Sequence, residues 1–166
     1  MTKITAELTK PLLIDGAMST ALEQLGADTN NSLWTASVLA NQPALVKKVH
    51  QEYFKAGARL AITDTYQANV PAFIKNGYSK QEAHSLIQRA VALAKEARDE
   101  YQQETGIYNY VAGALGPYGA YLANGSEYTG DYHLSTIEYQ QFHRPRLTEI
   151  LTVGVDVIAI ETQPRL

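Results

Sequence analysis

Four short apolar runs limit what this chain can fold into. Leu12-Leu13-Ile14, Arg59 to Thr63, Tyr110 to Leu115 and Val155 to Ile160 recur at near-even spacing, each too brief for a helix and each ending in polar or glycine-rich residues. Helical patterns fill the intervals. Ser19 to Leu25 suits a short helix closed by Gly26. Asn41 as N-cap and Pro43 in the first turn open a second, with Val46, Val49, Tyr53 and Phe54 as its apolar stripe and Gly57 as its stop. Ser79 with Glu82 forms a capping box ahead of the stripe Ala83, Leu86, Ile87, Ala90, Ala94, Ala97 and Tyr101; Ser135 with Glu138 forms another, ahead of a helix running to about Val153 that Pro145 should kink. Alternation of strand and helix predicts parallel strands joined by right-handed crossovers.

The joints are asymmetric. One or two residues lead from helix to strand, whereas the stretches after the strands are long and rich in Gly, Asn, Tyr and Thr. That places the working face at the strand C-termini, as in an α/β fold of the (β/α)8 TIM-barrel type. About four β/α units are present, so residues 1–166 read as a half-barrel and one domain.

Composition narrows the function. A net charge of -3 with mixed signs gives nucleic acid no foothold, and no apolar run approaches the roughly 18 residues that span a bilayer. The opening MTKITAELTKP has no apolar core of a signal peptide, so the expected location is cytoplasmic. The absence of cysteine excludes disulfides, thiolate metal sites and cysteine nucleophiles in this chain. The four histidines show no HxH or HExxH spacing; His50 and His84 are expected on solvated helix faces.

Asp15 and Glu161 end the first and fourth runs, so in a curled sheet both carboxylates point into one mouth and suit a bound ammonium group. The competing reading has each cap the following helix or pair with an arginine. The N–H groups of Gly16 and Ala17, at a helix start, can hold the carboxylate of the same ligand, which together describes an amino-acid site. Thr63 and Thr65 offer hydroxyls, although threonine is also a plain strand former. Trp34, on a connection unless Ser32 to Leu39 is a short helix, and Tyr118, Tyr121, Tyr128 and Tyr132 can surround a cation such as a sulfonium, or simply fasten long loops.

Taken in order, Asp15-Gly16-Ala17, Ser32-Leu33-Trp34, Tyr53 to Ala58, Thr65-Tyr66-Gln67-Ala68, Gly116 to Leu122, Gly125-Ser126-Glu127-Tyr128, Phe142 to Leu147 and Glu161-Thr162-Gln163-Pro164 resemble the N-terminal half of a homocysteine S-methyltransferase. The Gly-Pro-Tyr-Gly and Gly-Ser-Glu-Tyr segments resemble the S-methylmethionine-dependent type more than the betaine-dependent one. The resemblance implies that homocysteine, bound as a zinc thiolate, takes a methyl group from a sulfonium donor and becomes methionine. It assigns the homocysteine ammonium to Asp15 and Glu161, its carboxylate to Gly16 and Ala17, a nearby polar contact to Thr63, and the donor to Trp34 and Tyr118. Family members hold zinc through three cysteines of the second half of the barrel. This chain is therefore expected to carry no catalytic residue of its own, to bind no zinc and to transfer no methyl group alone.

Two alternatives stand beside that reading. One is a non-catalytic half-barrel that binds an amino acid or serves a structural role. The other, a barrel enzyme acting on carbonyl or phosphate substrates, would want a lysine at a strand end, and the four visible ends have none. Open sheet edges would favour pairing with a second copy of the chain.

Overall fold

The computed structural model describes residues 4–5 and 11–165; most of the opening segment read above for a leader, and Leu166, lie outside them. Helices α1 (Met18–Gln24), α2 (Thr35–Asn41) and α3 (Pro43–Lys55) lead into β1 (Leu60–Ile62). Then come α4 (Val70–Lys75), α5 (Lys80–Thr105) and β2 (Tyr110–Leu115), followed by α6 (Tyr118–Leu122), α7 (Ser126–Thr129), α8 (Thr136–Val153) and β3 (Val157–Ile160). The strands form a parallel sheet in the order β1-β2-β3, with Leu60 opposite Tyr110 and Ala112 opposite Val157.

The expected first strand is a correction. Leu12 to Ile14 lies alongside β1 but contributes a single parallel bridge, Ile14 to Leu60, extended by the Asp15 N–H donating to the Leu60 carbonyl at 3.0 Å. Pro11 has no N–H to lengthen the ladder on one side, and the chain turns away at Gly16 on the other. Leu13 and Ile14 consequently stay 60% and 51% exposed.

Period-two alternation splits β1 between two apolar layers. Leu60 and Ile62 join Leu12, Tyr110, Ala112, Val157 and Ala159 on one side of the sheet, while Ala61 meets Phe54, Ala58 and Ala97 beneath the helices. The larger core lies among the helices, where Val46 and Val49 of α3, Leu86, Ile87, Ala90 and Val91 of α5 and Ile150 of α8 are buried. Both capping boxes form as the sequence predicts: Ser79 accepts from the Glu82 N–H and Ser135 from the Glu138 N–H, each glutamate returning to its cap's N–H. Each such cap stabilises its helix by about 1 kcal/mol. Gly57, at φ +103, ends α3 in a backbone conformation that a side chain would strain.

Two details depart from the sequence reading. Asn41 ends α2 and Gln42 takes the cap position before Pro43. The stretch after β2, expected as one long loop, contains α6 and α7. Among the described residues no helix is long and apolar enough to cross a membrane.

Candidate functional site

The C-terminal ends of the strands open into a cavity of about 700 Å³. Asp15, from the bridged stretch beside β1, and Glu161, directly after β3, both line it, so the two carboxylates arrive from opposite margins of the sheet. Gly16, Ala17, Thr63 and Trp34 line the same space.

The backbone of β1 fixes Asp15, whose Oδ2 accepts from the Ile62 N–H at 2.8 Å. It does not cap α1, whose cap residue Ala17 has no side-chain hydrogen bond there. The other oxygen, Oδ1, is buried without a partner among the described residues. Burial is the main cause that pushes the Asp15 carboxyl up to about 7; the Ile62 N–H opposes this and the Glu161 charge adds to it. Glu161 is held by its own N–H, which donates to the Leu115 carbonyl at 3.2 Å, and it too keeps a buried oxygen, Oε1, without a partner. Burial raises its carboxyl as well, against the pull of the Arg146 guanidinium. Two buried carboxyls, each shifted by burial toward its neutral form and each with an unsatisfied oxygen, suit a cationic donor of hydrogen bonds.

Gly16 leaves room for Tyr53 beside the cavity. A Cβ on it would lie 2.9 Å from the Tyr53 hydroxyl, which donates to the Ala17 carbonyl at 3.2 Å, so any side chain would displace the tyrosine that fixes this turn. Thr63 is buried, and its hydroxyl is shared between Thr65 Oγ1 at 2.7 Å and the Ala114 N–H at 3.1 Å, joining β1 to β2. Trp34 takes the cap position of α2 at φ +52, a strained geometry for a bulky residue, and stands edge-on to Tyr66 with ring centres 6.4 Å apart. Tyr118 is placed elsewhere, in a ring cluster with Tyr121, Tyr132 and Phe142 that fastens α6 to α8.

Among the cavity residues that sequence reasoning left without a role are Asp64, Tyr66 and Glu127. For Asp64 the signal was available, because it follows β1 almost directly, where a carboxylate in a parallel sheet deserves the weight given to Asp15. It is 5% exposed. Its Oδ1 accepts from the Thr35 hydroxyl at 2.5 Å, while Oδ2 is buried without a partner among the described residues. Arg146 of α8 was also unassigned. It is buried and donates to the carbonyls of Thr65, Tyr66 and Gly116, which clamps the ends of β1 and β2 together.

Comparison with known proteins decides what this arrangement belongs to. The family model described as homocysteine S-methyltransferase matches residues 12–166. The chain belongs to the homocysteine S-methyltransferase family. A homocysteine S-methyltransferase of Escherichia coli strain K12 is 48% identical over 155 residues, covering 92% of this chain and 50% of that protein. The homocysteine S-methyltransferase YbgG of Bacillus subtilis strain 168 is 48% identical over 164 residues, covering 95% of this chain and 52% of its own length. The chain thus spans about half the length of these curated relatives. The metallated form of the homocysteine methyltransferase MmuM from Escherichia coli superposes with a TM-score of 0.92 at 46% identity over 98% of this chain and 58% of that one. For a family whose resemblance implied thiolate-bound zinc, the residues of this chain do not fit the metal. The sequence has no cysteine, and among the described residues no three His, Asp or Glu side chains gather where they could hold an ion.

Proposed function

We propose that residues 1–166 form the N-terminal half of the TIM-barrel domain of a cytoplasmic homocysteine S-methyltransferase, and that this half cradles the amino-acid end of homocysteine. The observation that carries the reading is the convergence of Asp15 and Glu161 on one cavity, each with a buried oxygen that has no partner among the described residues. An ammonium group supplies three donors and a positive charge, which offsets the desolvation both carboxyls suffer. The Gly16 and Ala17 N–H groups at the start of α1 take the ligand's carboxylate, and Thr63 keeps the end of β1 against β2 so that the floor stays rigid. The methyl group comes from S-methylmethionine or another sulfonium compound, which approaches from the side of Trp34; Tyr118 enters this reading as a loop anchor. When zinc is bound in the whole enzyme it supplies a thiolate at neutral pH, and this chain's residues bind and orient the substrate.

The misfit to zinc favours one further division: the chain alone binds the amino acid without transferring a methyl group. Isothermal titration of the purified chain with homocysteine at pH 8 should show one site, and Glu161→Gln and Asp15→Asn should each weaken it about tenfold or more, as expected when one member of a buried charge pair is neutralised. Equal affinity in all three proteins would overturn the cradle. Methionine formed from homocysteine and S-methylmethionine by the chain alone would overturn the division of labour.

A further inference from the structure

The cavity gathers more carboxyl groups than the ammonium of one amino acid can satisfy. Among the described residues four carboxyl side chains line it, those of Asp15, Asp64, Glu127 and Glu161, and no lysine, arginine or histidine does. Each of the four has one buried oxygen without a partner among the described residues. Homocysteine is a zwitterion, and its ammonium is matched by its own carboxylate, so it brings no net positive charge. A second, cationic ligand would bring one.

Asp64 is where that charge is most needed. It is the most deeply buried of the four, and burial pushes its carboxyl up to about 7; only the Thr35 hydroxyl pulls the other way, and among the described residues no cation acts on it. The residue that supplies this hydroxyl follows Trp34, whose ring meets Tyr66 edge-on, so the carboxylate and two aromatic rings belong to one corner of the cavity. A carboxylate combined with aromatic faces is suited to a poorly hydrated cation that offers no N–H, because ring faces attract such a charge without needing a hydrogen bond. We propose that Asp64 is the specificity-determining residue for the methyl donor, holding the positive charge of a sulfonium against Trp34 and Tyr66 and rejecting neutral or anionic donors. This rests on the homocysteine-cradle reading above and names the partner of the same cavity.

The chain has a single tryptophan, Trp34, so its fluorescence reports on this corner. Titration with S-methylmethionine should be at least tenfold tighter than with its uncharged carbon analogue, in which the sulfonium is replaced by a CH group, and Asp64→Asn should reduce that preference to within twofold. The amide keeps the size of the side chain and an oxygen for Thr35, and thermal melting verifies that the variant folds. A second measurement uses the unmutated protein: the ¹³C resonance of the Asp64 carboxyl should move toward the carboxylate position on addition of S-methylmethionine and stay fixed with the carbon analogue. An unchanged preference in Asp64→Asn, equal affinity for the two compounds, or an unmoved resonance each overturns the proposal. Homocysteine titrated in parallel separates the two readings, since its failure to bind removes the cradle while a preserved donor preference leaves Asp64 in place.

Discussion

His50 is fully buried on α3 with neither ring nitrogen hydrogen-bonded among the described residues, and burial lowers its imidazole to about 4. The unfolded chain, with an ordinary histidine near 6.5, takes up a proton first as pH falls, so folding stability drains away between roughly pH 6.5 and 4 and is intact above that window. The loss amounts to about 3 kcal/mol. His50→Leu should remove it: in urea titrations the variant should gain about 2 to 3 kcal/mol over the parent at pH 4.5 relative to pH 7.5. A constant difference at the two pH values would show that the imidazole charges inside the fold. Asp15 works in the opposite sense. Its carboxyl sits at about 7 when folded and ionises near 3.8 when unfolded, so the empty protein loses stability as pH rises through that interval. A bound ammonium reverses the preference, and homocysteine affinity should therefore climb between pH 6 and 8, a trend that calorimetry at the two pH values reads directly. The position of His50 was legible in principle, because Val46, His50 and Phe54 follow one another at i, i+4 along the buried stripe of α3; residue type outweighed register in assigning it to solvent. His84 was misplaced for a different reason, its Nδ1 lying 2.8 Å from Glu149 on α8, a contact between helices far apart in sequence.

At the scale of elements, α8 does more than cover the sheet. Through Arg146 it holds three loop carbonyls at the ends of β1 and β2, with Nη2 at 2.6 Å from the Gly116 oxygen. Those carbonyls face the protein interior, and without the guanidinium they would be buried unsatisfied. Lysine cannot replace it, since one ammonium on a flexible stem cannot reach both strand ends in a fixed fork. Arg146→Lys should cost on the order of 2 kcal/mol or more in chemical denaturation, and Arg146→Met about 3 to 5. Arg146→Met should also weaken homocysteine binding, because Glu161 loses the cation that pulls against the effect of burial on its carboxyl. Loss of stability with undiminished binding would mean that the loops keep their shape unaided. Elements with a long period or a two-residue signature were readable beforehand: α5 and α8 by their capping boxes, β2 by an apolar run bounded by turns. Helices α4, α6 and α7 were not, because four to six residues hold barely more than one turn and show no stripe. Asn69, which accepts from the Ala72 N–H at 2.9 Å, and Pro71 in the first turn are the local signals that α4 gave. The acidic character of the cavity was hidden similarly, since Glu127 comes from α7, a single turn that no periodicity predicts.

For the molecule as a whole, the parallel sheet ends in open edges. Among the described residues β3 pairs only with β2, Ile160 is 71% exposed, and on the opposite margin Leu13 and Ile14 remain largely in solvent. Parallel sheets occur almost only where both faces and edges are covered, since an uncovered row of N–H and C=O groups recruits another strand. In a protein of the full length seen in the relatives, further β/α units would take these positions. The chain on its own has a second copy available, and the strand-end mouths of two such halves would then face one closed barrel around a two-fold axis. Light scattering at micromolar concentration should give twice the mass of the chain, and the melting temperature should rise with protein concentration, as mass action requires for a dimer that unfolds to monomers. Replacing Ile160 by lysine places a charge on the exposed edge and should shift the population toward monomer without disturbing the buried helical core. A monomer that melts cooperatively at a temperature independent of concentration would show instead that three paired strands and one bridge are enough to close this fold by themselves.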